Sequence, residues 1–315
     1  MKRISFALAA LLCAGAACAD TLALDLGRYG VTGNYALPTL NGLGLEASAV
    51  TYARDRGTLF VVGDEGLGVI EYSRTGTFIG SMAFDWSGTN SSNNDAEGLT
   101  YANGKLVVVD ERPQIAYQFE YSAGGTVALN GQPKVAITGS TTSVGNVGTE
   151  GISYDPLTGG YFTVKQDNPA ELRFSQLTFA VGFGSATTST LFSGAAGVFG
   201  LNSLSDVQTL SGVDTLAGQS AASNLLILSL DSRKLVEINR STGAVLSSLD
   251  LAPITTQAIE GVTIDENGVI YLVAEDSGTG SSRLFVVEPV PEPGTWALMA
   301  SGLAILAWRA RRRRI

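Results

Sequence analysis

The sequence predicts an all-β protein, a five-bladed β-propeller of four-stranded blades closed by its N-terminal strand. Three observations carry that expectation. A segment recurs at steps of 51, 53, 56 and 54 residues, each copy reads as strands, and the last copy lacks one strand. A fixed period of this size marks a propeller or a solenoid, and four strands per unit make a propeller blade.

The copies open on Glu46, Glu97, Glu150, Asp206 and Glu260. The clearest reads Glu97-Gly-Leu-Thr-Tyr101 followed by Leu106-Val-Val-Val-Asp-Glu111. A turn of Asn103-Gly104, Asp155-Pro156 or Asn267-Gly268 joins the first strand to the second. An alternating third strand follows, such as Val69-Ile-Glu-Tyr72 or Leu235-Val-Glu-Ile238. A Thr-Gly turn, at 75–76 or 242–243, leads to a last strand at 78–84 or 245–251. The fourth copy departs from the pattern, with Asp206 for Glu and Val207 for Gly. The fifth supplies strands near 260–264, 269–274 and 283–288 and then stops. A strand-like stretch at 29–37 has no unit of its own, so it is expected to complete the last blade and bury an otherwise open edge.

Composition narrows the chemistry. The 315 residues include no His, which excludes Ser-His-Asp and Cys-His machinery and His-ligated zinc. Both cysteines, Cys13 and Cys18, lie in the first 20 residues, so no disulfide framework spans the domain. That opening stretch has a basic start, an apolar run and a small-x-small site at 17–19, so residues 1–19 read as a secretory signal cut before Asp20. A lipoprotein signal at Cys18 is the weaker alternative, because Gly15 stands where Leu is usual.

The other end is a second address. Pro291-Glu292-Pro293 precedes an apolar run at 295–308, which ends in Arg309 and four arginines at 311–314. Fourteen or so apolar residues are marginal against the roughly 20 that span a bilayer, so the run suits a transient anchor as well as a permanent one, with the arginines cytoplasmic. Residues 20–289 therefore form the propeller domain and 290–315 the sorting segment. Without Lys2, Arg3 and the five terminal arginines, 13 of the 20 basic residues face all 29 acidic ones, a balance of −16. Such a surface disfavours nucleic acid and anionic lipid, and favours cations.

In a propeller the first strand of each blade lines the central channel. Glu46, Glu97, Glu150, Asp206 and Glu260 are accordingly expected to form a ring of oxygen ligands, for which calcium is the natural ion outside the cell. The competing reading is that these carboxylates accept backbone N–H groups and lock neighbouring blades. A second acidic position, Glu65, Glu111, Asp231 and Asp276 with Gln166 in the third copy, is expected at one mouth of the channel, more as solvated turn residues than as ligands. Arg112 and Lys165 are the basic residues at that level. Tyr52, Tyr101 and Tyr154 read as inter-blade core, and Trp86, beside the polar loop 87–94, as a weak candidate for stacking on a sugar.

The repeat resembles the SdiA-regulated propeller family in its Glu-Gly-x-x-Tyr segments and in hydrophobic strands ending in Asp64-Glu65 or Asp110-Glu111-Arg112. The resemblance implies five blades and a calcium site, with no firmly established activity. The C-terminal pattern resembles the PEP-CTERM sorting signal, which implies an exosortase-type processing enzyme as a partner besides signal peptidase. It also implies export to the cell surface or exopolysaccharide matrix of a Gram-negative bacterium. Two function classes follow. One is a calcium-binding scaffold module; the alternative is a calcium-dependent hydrolase of lactonase or phosphoesterase type. The absence of His and the sparse Lys and Arg count against the second.

Overall fold

The computed structural model describes residues 20–290 and Ser301. Five sheets close into a ring in which each innermost strand touches the innermost strands of both neighbours. Blade 1 runs through Ala47–Ala53, Thr58–Gly63, Gly68–Tyr72 and Phe78–Asp85, and blade 2 through Ala96–Ala102, Lys105–Asp110, Ile115–Phe119 and Lys134–Ala136. Blade 3 comprises Thr149–Asp155, Gly160–Lys165, Glu171–Thr178 and Ser185–Ser193. Blade 4 comprises Asp206–Thr209, Leu225–Ser229, Lys234–Ile238 and Val245–Asp250. Blade 5 takes Ile259–Ile264, Ile270–Ala274 and Arg283–Pro289 from the end of the chain and Tyr29–Ala36 from its start. The closing pair is antiparallel, from Tyr29 opposite Pro289 to Ala36 opposite Arg283. The expected closure by the N-terminal strand is present.

Alternation explains the packing. Successive side chains of a strand point to opposite faces, and a blade's inner strands are covered on both faces, so they read as unbroken apolar runs. In blade 1, Val61 faces Val273 of blade 5, while Phe60 and Val62 join Leu106 and Val108 of blade 2. Val107 and Val109 then turn to Ile152 and Tyr161 of blade 3. Among the described residues there are five buried apolar clusters, one at each blade interface.

Two features were not expected. Blade 1 carries a fifth strand, Thr126–Ala128, laid parallel on Phe78–Asp85 before the chain returns to finish blade 2. This strand covers an outer edge that would otherwise be open. Residues 20–28 also cross the rim of blade 4 before entering blade 5: Thr21 accepts from Ala221 N–H, and Leu26 donates to Ser247. Among the described residues no helix is long and apolar enough to cross a membrane; the 295–308 run lies outside them apart from Ser301.

Candidate functional site

The ladder register decides where the acidic residues go. In blades 2, 3 and 5 the innermost strand skips one partner, at Glu97, Glu150 and Glu260. Such a bulge leaves a residue out of the ladder and re-aims its side chain. In blade 1 the skip falls on Ser48, not Glu46. Glu46 stands two residues upstream, with a left-handed φ of 53°, and is the counterpart of Asp95. Blade 4 has no skip: Asp206 pairs in register with Leu228.

The expected five-membered ring is therefore not assembled from those five residues. Glu260 lies close enough to raise the pKa of Glu97, and Glu97 and Glu260 close enough to raise that of Glu150. Glu46 instead joins Asp64 and Glu65, with ligand oxygens within 4.8 Å of one another. Asp206 is buried in the channel wall, where its carboxylate accepts the N–H groups of Val262 and Val207, both at 2.8 Å. Asp206 thus joins blade 4 to blade 5. Its neighbour explains one glycine: a Cβ on Gly151 would lie 2.4 Å from Asp206 Oδ1 and 2.6 Å from Asp206 Cα, so blades 3 and 4 meet this closely only over glycine.

The other blade junctions use hydroxyls that the sequence reading passed over. Thr51 accepts Tyr101 N–H at 3.0 Å, Thr100 accepts Tyr154 N–H at 2.9 Å, and Thr263 accepts Tyr52 N–H at 3.1 Å. Ser153 accepts Thr209 N–H at 3.0 Å. The signal was available, since a Thr or Ser stands three residues after each bulge position.

The acidic mouth is built where the second strands end. Asp64, Glu111 and Glu275 are equivalent there, their N–H groups bonding Glu46, Asp95 and Ala258 carbonyls at 3.3, 2.9 and 3.0 Å. Of the second acidic set, Glu111 holds this position, with Gln166 in blade 3. Glu65 and Asp276 come one residue later, and Asp231 lies in the turn after Leu225–Ser229. Asp64, Asp95, Asp110 and Glu275 are the members that sequence reasoning missed.

Burial and mutual repulsion hold protons on this cluster. Asp64 is pushed up to about 6 by burial and then by Glu46, against the Glu65 N–H that it accepts. Glu260 rises to about 8 through burial and then Glu275 and Asp64, with Ser48 easing the shift. Burial raises Asp110 to about 7, partly relieved by Ser91. Glu97 and Glu150 lie well above the carboxylate range, first through burial and then through Glu260 and Asp64 for Glu97, and through Glu97 and Glu111 for Glu150. Glu111 reaches about 7, mainly through burial. One of its oxygens accepts Gly148 N–H at 2.7 Å; the other is buried without a donor, against the carboxylates of Asp95 and Glu150. Asp64 Oδ1 is likewise buried without a donor.

The basic residues at this mouth are already engaged. Arg112 pairs with Asp95 and donates to Asn146 Oδ1 at 2.7 Å. Lys165 donates to the carbonyls of Asp167 and Pro169. Trp86 is core rather than a stacking platform: it is 9% exposed, donates to the Gly66 carbonyl at 2.7 Å and meets Phe84 and Tyr117 edge-on. Tyr52, Tyr101 and Tyr154 pack against the inter-blade clusters, as expected, yet remain half-buried and reach the opposite mouth of the channel.

Comparison with solved structures places the fold in known company. Glutaminyl cyclase of Myxococcus xanthus is similar at 12% identity with a TM-score of 0.53, over 82% of this chain and 95% of that one. Regucalcin of Agrobacterium tumefaciens, described as a calcium-binding protein, is similar at 11% identity with a TM-score of 0.44, over 78% of this chain and 71% of that one. The Cps50 (Swd1) propeller domain of Myceliophthora thermophila matches at 10% identity and a TM-score of 0.39, covering 79% and 66%. The PEP-CTERM protein-sorting motif matches residues 289–313. The SdiA-regulated family model matches residues 29–277, which takes in the strand that closes the ring and four whole blades, and the chain belongs to that family.

Proposed function

We propose that this protein is an exported propeller of the Gram-negative cell surface or matrix that binds calcium at its acidic mouth and serves as a binding or scaffold module. The observation that carries this reading is a set of donorless buried oxygens, Asp64 Oδ1, both of Asp110 and Glu111 Oε2, in a mouth whose cations are spent. A buried carboxylate oxygen without a donor needs a proton, a water or a cation. Calcium takes six to eight oxygens at about 2.3–2.6 Å, so oxygens sharing one ion lie no more than about 5 Å apart. Glu46, Asp64 and Glu65 meet that spacing. Glu275 and Asp276 of blade 5 border this group, and Glu97, Glu150 and Glu260 form the inner wall. When bound, calcium would supply the positive charge that offsets these carboxylates, and Glu46, Asp64 and Glu65 would supply the cradle.

Residues 1–19 act as the signal peptide, removed by signal peptidase before Asp20. An exosortase-type enzyme cuts near the Pro-Glu-Pro segment after transient anchoring through 295–308. Intact mass of the protein from cells with and without that enzyme tests this; an uncut tail in normal cells overturns it. For the site, titration with calcium and separately with magnesium is decisive. Calcium-specific heat of binding, lost in Asp64→Asn, supports the proposal; no calcium response at all defeats it.

The hydrolase alternative rests on Asp64 at about 6 and Glu111 at about 7, values suited to general acid–base work near neutrality. Turnover of lactone or phosphoester substrates that depends on calcium, and falls in Glu111→Gln, distinguishes it from a scaffold.

A further inference from the structure

The two mouths of the channel differ in chemistry. The acidic one lies at the starts of the innermost strands. At their other ends a cavity of ≈ 720 Å³ receives residues from all five: Thr51-Tyr52, Thr100-Tyr101, Ser153-Tyr154, Gln208-Thr209 and Thr263-Ile264. Its volume lies within the range of about 300–1,000 Å³ usual for small-molecule sites. Fixed charge at this end is partly cancelled. Arg54 pairs with Asp214 at 2.8 Å, and Arg74 with Asp265 at 3.0 Å and Glu266 at 3.1 Å. Two arginines face four carboxylates there, Asp214, Asp265, Glu266 and Asp55, so the residual charge is acidic and disfavours an anion.

The remaining groups are of two kinds. Three half-buried tyrosines line the cavity, each steadied at its hydroxyl: Tyr52 by Arg74, Tyr101 by Asp55 at 3.0 Å, and Tyr154 by Asn103 at 3.1 Å. Tyr101 is further fixed by stacking on Phe60, with centroids 6.1 Å apart. Around them stand short planar polar groups on tight turns. Asp55 uses one carboxylate oxygen on Tyr101, and Asn103 uses its amide N–H on Tyr154, which leaves an acceptor oxygen on each facing the cavity rim. Asn103 is held by a left-handed φ of 52° in the Asn-Gly turn. Pre-positioned aromatics beside planar acceptors, at a site whose residual charge repels anions, suit a ligand that is neutral, has apolar C–H faces and carries many hydroxyl donors.

The geometry points to this second mouth as a binding pocket for a neutral saccharide. The ligand's C–H faces lie against Tyr52, Tyr101 and Tyr154, and its hydroxyls donate to Asp55 and Asn103 and exchange bonds with Gln208. The reading stands on residues separate from the calcium site, so either can fail alone. Titration calorimetry of the purified protein with hexamers of glucose, mannose, galactose and xylose tests it, with hexagalacturonate as the anionic control. Saturable binding of at least one neutral hexamer is expected, weakened about tenfold or more in Asp55→Ala and in Asn103→Gly. The glycine variant keeps the turn, because glycine accepts a left-handed φ without strain. Lys234→Gln, on an exposed strand position of blade 4 outside both mouths, leaves the sugar affinity unchanged. Failure of every neutral hexamer, binding of the anionic control alone, or binding by Asn103→Gly and Asp55→Ala as tight as that of the unaltered protein overturns the assignment.

Discussion

The backbone N–H of Leu24 donates to the buried carboxylate of Glu237 at 2.8 Å, joining residues 213 positions apart. The same carboxylate accepts Asn224 Nδ2 at 2.8 Å and the Ser247 hydroxyl at 3.0 Å, and burial still raises its pKa. The leading segment is thus stapled to blade 4 before its following strand completes blade 5.

Deleting residues 20–28 removes one donor from Glu237 and takes Leu26 out of the buried cluster between blades 4 and 5. Loss of a partner to a buried group costs about 1–3 kcal/mol. Calorimetry is expected to show a melting temperature lower by several degrees with the fold retained. Deleting 20–36 also strips the strand beside Arg283–Pro289, and is expected to lower it much further or to produce aggregation. Unchanged melting in both would show that the segment is only a tail.

Acidity is expected to stabilise the calcium-free protein. Asp64, Asp110, Glu111 and Glu260 hold protons in the folded state up to about 6, 7, 7 and 8, above their values in an unfolded chain. The folded state therefore binds more protons through this window, and stability falls as pH rises from about 4 to about 8. Melting curves at pH 5.5 and 8 should show the drop. Calcium competes with those protons, so its stabilisation should be larger at pH 8 than at pH 5.5.

Millimolar calcium should raise the melting temperature, by up to about 2.7 kcal/mol of stability at a hundred times its dissociation constant. Asp64→Asn and Glu46→Gln should blunt that response. Asp206→Asn should leave it intact while lowering the baseline, because an amide cannot accept both the Val207 and the Val262 N–H. A calcium response lost in Asp206→Asn but kept in Asp64→Asn would reverse the assignment.

Gly151→Ala should destabilise by about 1–3 kcal/mol, since its Cβ would press on the backbone of Asp206 rather than on a flexible side-chain end. Gly159→Ala provides a contrast. Nothing lies within 4 Å of a Cβ there, so its cost comes from the left-handed φ of 69° alone.

The blade count and the closing strand were legible because turns and apolar runs repeat with the period of the fold. The acidic mouth was less so, for a local reason. Tyr101 follows Glu97 by four residues, whereas Tyr52 follows Glu46 by six, and aligning copies on their first carboxylate hid Ser48 at the bulge. Two adjacent acids stand where the second strands of blades 1 and 5 end, Asp64-Glu65 and Glu275-Asp276, and the second of each pair drew the attention that belonged to the first. Blade 4 kept an acid at 206 but not the bulge, and the unbroken register turned it into the wall. The staple from residues 20–28 rests on single backbone hydrogen bonds, which leave no periodic trace in a sequence.

The strand that ends at Pro289 is zipped on one side to Tyr29–Ala36 and on the other to Ile270–Ala274, and Val290 N–H then bonds the Arg28 carbonyl at 2.7 Å. The sorting segment continues directly from that strand. Tension applied along the tail would load both ladders in shear, so that many backbone hydrogen bonds must fail together rather than one at a time. The joint between propeller and tail is in mechanical terms a clamped one, able to bear a pull from the membrane side while the blades and both mouths keep their shape.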